Sequence, residues 1–195
     1  MAQMAQVDQR KAQLQHKLGT TGTTAQMERL TARRTRQIDH YLHTTSRRII
    51  DLLVAEGIGT LCIGKNPRWK QDGNRGRRNN QTFVSVPHAR FIAMLTYKAE
   101  LVRIQVNITE ERYTSKASFL DADPLPVYGA AKVPTFSGRR VKRGLYRAAN
   151  GRRINADVNG SYNTIRKVLP DSFGQGIAGT AVCPVRLPVR TKRMA

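Results

Sequence analysis

Residues 58–63, IGTLCI, form a short and almost uniformly apolar run bracketed by Gly57 and Gly64. A run of this kind suits a strand buried in a sheet covered on both faces. Downstream, Pro87 suits the first turn of a helix, along which Phe91, Leu95, Ala99 and Val102 mark an apolar stripe. Residues 104–109 then alternate apolar and polar, as a second strand does, and end at Glu110 and Glu111. Strand, helix and strand at this spacing predict a βαβ unit with parallel neighbours and a right-handed crossover. The carboxyl ends of both strands then share one sheet edge, where open α/β sheets bind their ligands.

The flanks of this unit are helical and basic. Residues 1–23 read as a short polar helix closed by Gly19 and a TTGTT loop. From Thr24 as the cap, Met27, Leu30, Ile38, Tyr41 or Leu42, Ile49, Leu52 and Leu53 keep a helical period up to Gly57. The other face carries Arg29, Arg33, Arg34, Arg36, Arg47 and Arg48, a solvated face or a phosphate track. In the loop KNPRWKQDGNRGRRNNQ, Trp69 stands between Arg68 and Lys70, four residues after Lys65. Trp69 there either stacks on a base while its neighbours hold phosphates or packs against the domain edge. Residues 124–150 read as an irregular basic segment, and residues 171–195 as a basic extended tail.

Residues 151–170, GRRINADVNGSYNTIRKVLP, place Ile154, Val158, Tyr162, Ile165 and Leu169 on one apolar face if they are helical. Asp157 lies off that face, on the side of Gly160, Ser161 and Thr164, which are small enough for a backbone or a nucleic-acid strand to approach. It is the only acidic residue between Asp123 and Asp171, among Arg139, Arg140, Lys142, Arg143, Arg147, Arg152, Arg153, Arg166 and Lys167. An acid at a helix start can simply complement the helix dipole. A carboxylate isolated among cations can equally be a ligand.

The formal charge of +21 on 195 residues is spread through the chain rather than held in one tail. The partner that matches it is a polyanion, and nucleic acid fits better than a membrane. No segment reaches the roughly 20 apolar residues of a membrane span, and the amino terminus lacks a signal-peptide core, so a cytoplasmic, nucleoid-associated protein is expected. Cys62 and Cys183 are too few for a disulfide framework or a zinc site. His88 has no ligand-type neighbour at metal spacing. Metal-dependent phosphodiester cleavage needs carboxylates converging on hard cations such as Mg²⁺. Glu110 or Glu111 and Asp157 could supply two ligands, which is not a complete site.

The blocks HYLHTTSRRIIDLL, GTLCIGKNPRWKQ, RRNNQTFVSVPHARFIAMLTYKAELV, EERYTSKASFLD, SGRRVKRGLYR and INADVNGSYN, in this order, resemble the TnpB/OrfB proteins of insertion sequences. Those are transposon-encoded, RNA-guided endonucleases related to type V CRISPR effectors. The resemblance implies an α/β chain: a partial RNase H-like (RuvC) fold with a βαβ unit, a long amino-terminal helix and a basic irregular tail. Residues 24–170 would be the carboxy-terminal part of the nuclease domain, with residues 58–63 as its fourth strand and residues 104–109 as its fifth. Asp157 would be the third catalytic acid and a Mg²⁺ ligand.

Three departures from the family pattern accompany the resemblance. Gly64 stands about where the fourth-strand glutamate belongs, and Glu111, ending the neighbouring strand on the same edge, is the candidate replacement ligand, with Glu110 second. The segment after YTSKASFLD lacks the cysteines of a zinc ribbon, so no zinc is expected. The first-strand aspartate belongs upstream of Met1, so the chain reads as the carboxy-terminal portion of a longer protein. An upstream segment or a partner chain would supply that aspartate, and the isolated chain would cleave poorly or not at all.

The leading expectation is therefore a part of a guide-RNA-dependent DNA nuclease. Glu111 and Asp157 are its metal ligands, and Lys65, Arg68, Trp69, Lys70, Lys116, Arg139, Arg140, Lys142, Arg143, Arg147, Arg152 and Arg153 contact DNA or guide RNA. The alternative is a non-catalytic remnant that binds nucleic acid. A basic structural RNA-binding protein of ribosomal type fits less well, because it explains neither the βαβ unit nor the acid-bearing block.

Overall fold

The computed structural model describes residues 2–19, 23–65, 87–126, 134–173 and 183–184. A polar helix α1 (Ala2–Leu18) leads into the 31-residue helix α2 (Ala25–Ala55), whose first turn is capped by Thr24 accepting the Met27 N–H. Strand β1 (Thr60–Gly64), helix α3 (His88–Leu101) and strand β2 (Gln105–Thr109) follow. The two strands pair in parallel, from Thr60 opposite Gln105 to Gly64 opposite Thr109. Helices α2 and α3 cover one face of the pair, where Ile50, Leu95, Ala99 and Ile104 form a core with Leu61, Ile63 and Val106 around it. Lys98 of α3 ties the helices together by donating to the His43 carbonyl at 2.8 Å and to the Ser46 hydroxyl at 2.7 Å.

The βαβ expectation holds, with two adjustments. The first strand sits two residues later at its start, and both strands are only half-buried. Ile58 and Ile108, the latter 52% exposed, stay at the surface because among the described residues the sheet has only these two strands. On α2 it is Leu42 that is buried and Tyr41 that is exposed, while Ile50, absent from the sequence stripe, is almost fully enclosed.

Residues 139–155, read from sequence as mainly irregular, are instead a small antiparallel sheet. Strands β3 (Arg139–Lys142), β4 (Leu145–Arg147) and β5 (Arg153–Asn155) run in the order β3-β4-β5. Tyr146 and Ile154 face inward and join Phe119, Leu120, Ala148 and Ala156, against which Tyr162 and Phe173 pack. Gly138 allows the sheet to close, since a Cβ there would lie 2.6 Å from the Tyr146 ring and 2.8 Å from the Arg147 carbonyl. The sheet is stitched to the preceding loop by two acids. Asp123 accepts from the Ser118 and Ser137 N–H groups and from the Ser137 hydroxyl; Asp121 accepts from the Ser118 hydroxyl and the Ala149 N–H. Burial pushes the Asp121 carboxyl up, but these bonds and the nearby Arg152 outweigh it and hold it below its usual range.

Helix α4 (Ala156–Val168) begins one residue after β5, because the Asn155 side chain caps it by accepting the Asp157 and Val158 N–H groups. Ile154, expected on the helix, therefore belongs to β5. The most buried side chains of α4 are polar: Asn159 and Asn163 are both 0% exposed. Asn159 accepts the Phe119 N–H at 2.9 Å and donates to the Ala117 carbonyl at 2.8 Å. Asn163 donates to the Thr114 and Ala117 carbonyls at 2.9 and 2.8 Å. Two amides thus do for the 114–119 loop what a neighbouring strand does elsewhere. The chain ends its described core in a short 3-10 turn, Pro170–Phe173. The expected extended tail therefore begins as a turn at residues 171–173, and apart from these and residues 183–184 it lies outside the described residues.

A fully buried amide that holds two backbone groups is costly to remove. Asn159→Ala is expected to destabilise the fold by about 2–3 kcal/mol, lowering the melting temperature by roughly 5–10 °C in thermal denaturation.

Candidate active site

The carboxyl edge of the parallel pair ends at Gly64 on β1 and Thr109 on β2, and the Lys65 N–H extends the ladder by donating to the Thr109 carbonyl at 2.7 Å. Beyond Thr109 the chain turns, and the Glu111 side chain folds back across the sheet edge over Gly64. A Cβ built on Gly64 would lie inside that side chain, 2.7 Å from Cδ. Glu111, two residues past the end of β2, thus occupies the space that a side chain at the end of β1 would need. Burial pushes the Glu111 carboxyl up, since desolvation disfavours its charged form.

Glu110 has a different environment. Its carboxylate pairs with Lys167 of α4 at 3.2 Å. The two adjacent glutamates are therefore separated by their surroundings: one faces a buried ammonium, the other covers the glycine.

Asp157 stands exposed in the first turn of α4, which lies against both β1 and β2. Its N–H is held by the Asn155 cap and its carbonyl accepts the Ser161 hydroxyl at 2.9 Å, so the backbone carrying the carboxylate is fixed. The position complements the helix dipole and also leaves the carboxylate open. Among the small residues on its side, Thr164 is buried, Gly160 half-buried and Ser161 exposed. Carboxylate oxygens are the donors that a hard cation such as Mg²⁺ requires, so Glu111 and Asp157 fit it by type. Among the described residues, no group of three or more His, Cys, Asp and Glu side chains is arranged to hold a metal ion.

The basic residues sort themselves by strand register. Arg139 pairs with Arg147 and Arg147 with Arg153, so three exposed arginines form one row across all three strands of the small sheet. Like charges directly opposite one another weaken a sheet, and an anion laid across the row would relieve that cost. Arg140 stands in the row of Tyr146, and Lys142 opposite Leu145, so neither belongs to the arginine row. Arg143 lies in the turn between β3 and β4, Arg152 just before β5, and Lys116 in the loop held by α4; all are exposed. Lys65 is exposed at the metal-candidate edge. Arg68, Trp69 and Lys70 lie outside the described residues.

Sequence reasoning missed Asn155, Asn159 and Asn163, and counted Lys167 only among the cations around Asp157. The three asparagines recur every four residues, a spacing that puts them on one helical face, and this was the signal available for them.

Two family models match the chain in succession. The OrfB_IS605 family, described as "Probable transposase", matches residues 2–70, and the family described as "Cas12f1-like, TNB domain" matches residues 88–164. No curated protein matches the chain. Among solved structures, one described as "Cryo-EM structure of the Cas12f1-sgRNA-target DNA complex" aligns with a TM-score of 0.56 at 15% identity, over 86% of this chain. The chain spans 42% of the length of that Cas12f1 chain, and the likeness shows a shared fold. Among the described residues no helix is long and apolar enough to cross a membrane. With the two family models in order along residues 2–164, the protein belongs to the TnpB/OrfB family.

Proposed function

We propose that β1, α3, β2 and α4 form the carboxy-terminal part of a RuvC-like nuclease domain of the RNase H fold, acting within an RNA-guided DNA endonuclease. The observation that carries this reading is Glu111 lying over Gly64. At the strand end where the family pattern asks for a glutamate, the glycine leaves room for a glutamate from just beyond the next strand. Glu111 and Asp157 would hold Mg²⁺, and an aspartate from an upstream segment or a partner chain would complete the ligand set. When bound, the cation stabilises charge on the attacking and leaving oxygens of a phosphodiester.

The chain's own residues supply the remainder. Asn155 fixes the backbone that carries Asp157. The row of Arg139, Arg147 and Arg153, with Lys116, Arg143 and Arg152 around it, holds DNA or guide RNA by its phosphates. Gly160 and Ser161 leave the space beside Asp157 open to a strand. A second reading, a nucleic-acid-binding protein without catalysis, is favoured by the same arginine row, which needs no metal to act.

Cleavage of labelled single-stranded DNA in Mg²⁺, with this chain alone and with an upstream RuvC segment added, separates the two readings. Activity restored by the added segment and lost in Asp157→Ala supports the nuclease; binding without cleavage in every mixture supports the second reading. Glu111→Gln is expected to abolish that cleavage and to raise the melting temperature at neutral pH by up to about 3 °C. The sign follows from the raised carboxyl: it stabilises the fold below the ordinary glutamate pKa and ceases to as pH rises through its folded value, so at pH 7 the neutral amide removes a desolvation cost. Replacing Arg139, Arg147 and Arg153 together by Ala is expected to weaken binding uniformly across sequences. It should also flatten the slope of log K against log salt by about 2, as read by fluorescence anisotropy.

A further inference from the structure

We propose that Lys167 is a positioning residue for Glu111, an inference that rests on the reading of Glu111 as a metal ligand. Lys167 lies in the last turn of α4, where a cation ordinarily reaches into solvent and complements the helix dipole. Here its side chain is 7% exposed and turned onto the chain leaving β2. The ammonium donates to the Glu110 carboxylate at 3.2 Å, to the Glu110 carbonyl at 3.4 Å and to the Arg112 carbonyl at 2.8 Å. An ammonium has three donors, and these contacts engage all of them. Two of the acceptors are the backbone carbonyls on either side of Glu111.

The carbonyl of Glu111 itself is held from the other direction. It accepts the Thr114 hydroxyl at 2.8 Å and the Thr114 N–H at 3.2 Å. Thr114 is buried, and its own carbonyl accepts from Asn163 of α4. Three successive carbonyls are thus fixed, and both sets of bonds trace back to one helix. The turn they enforce is tight enough to place Tyr113 at a φ of 66°, a left-handed conformation that an aromatic residue rarely adopts without such restraint. A buried ammonium without partners would be strongly unfavourable, so Lys167 and the 110–112 turn order one another. Helix α4 consequently carries Asp157 at its first turn and sets the backbone of Glu111 from its last.

The test reads the distance between β1 and residue 111 without metal or nucleic acid. In a Cys62→Ser, Cys183→Ser background, the pair Gly64→Cys and Glu111→Cys is expected to form a disulfide under mild oxidation, since their side chains would share one space. Adding Lys167→Met is expected to slow that cross-link roughly tenfold, the order expected when hydrogen bonds from a charged group are removed, and Lys167→Arg to restore it. An unchanged rate in Lys167→Met overturns the proposal. If Lys167→Met does not fold, Lys167→Gln is read by hydrogen exchange at the Thr114 amide. Faster exchange there, with the α3 amides unchanged, supports the clamp, and unchanged exchange at Thr114 overturns it. Failure of the nuclease reading appears elsewhere, as binding without cleavage in every mixture or as cleavage that survives Asp157→Ala, and leaves the cross-linking result standing on its own.

Discussion

Two buried asparagine amides hold the catalytic candidates in one framework. Asn159 and Asn163 give the 114–119 loop its hydrogen bonds, and that loop follows directly from β2 and the Glu111 turn. Among the described residues the loop runs along a helix with no strand paired to it, and buried backbone groups without partners are strongly disfavoured. The amides satisfy them, and in doing so they fasten α4 to the segment that leaves the parallel sheet. Phe119, stacked on Tyr162 with ring centroids 4.5 Å apart, adds the apolar half of the same contact. The candidate acids are thus carried by parts of the chain that these contacts join.

The two sheets follow different physical rules. β1 and β2 are ordered from one side by α2 and α3, whose apolar stripes match the alternating residues Leu61, Ile63 and Val106. The antiparallel sheet has a narrow apolar face, Tyr146 and Ile154, and an outer face of arginines. It persists because Asp121 and Asp123 gather the Ser118, Ser137 and Ala149 groups that close it onto the preceding loop. The charge on its outer face is then available for an anionic partner, and the cost of keeping it is borne by hydrogen bonds on the inner side.

These rules explain which parts of the fold could be read from sequence. The parallel unit was legible because residues 58–63 and 104–109 carry strand patterns long enough to register, with a helical stripe between them. The sheet of residues 139–155 was not, since strands of three or four residues with arginine outward offer no alternation to count. The boundary at Asn155 depended on a side-chain cap, which moved Ile154 from the helix to a strand. Asp157 stood out as the one acid in a basic stretch, whereas the different surroundings of Glu110 and Glu111 depend on how the chain turns after β2. Lys167 was hidden for a related reason: nothing in its neighbours along the chain signals that a last-turn lysine folds onto a loop 55 residues away.

Gly64 and Glu111 together define a single slot. A side chain at residue 64 and the present rotamer of Glu111 exclude each other sterically, so the carboxylate can be delivered from either strand but not from both at once. A chain that acquires a glutamate at 64 first must crowd or displace the existing one, and a chain that loses Glu111 first passes through a state with no carboxylate in the slot. The first order asks only that the flexible Glu111 side chain turn away, whereas the second passes through an empty slot, so the less costly exchange begins at residue 64.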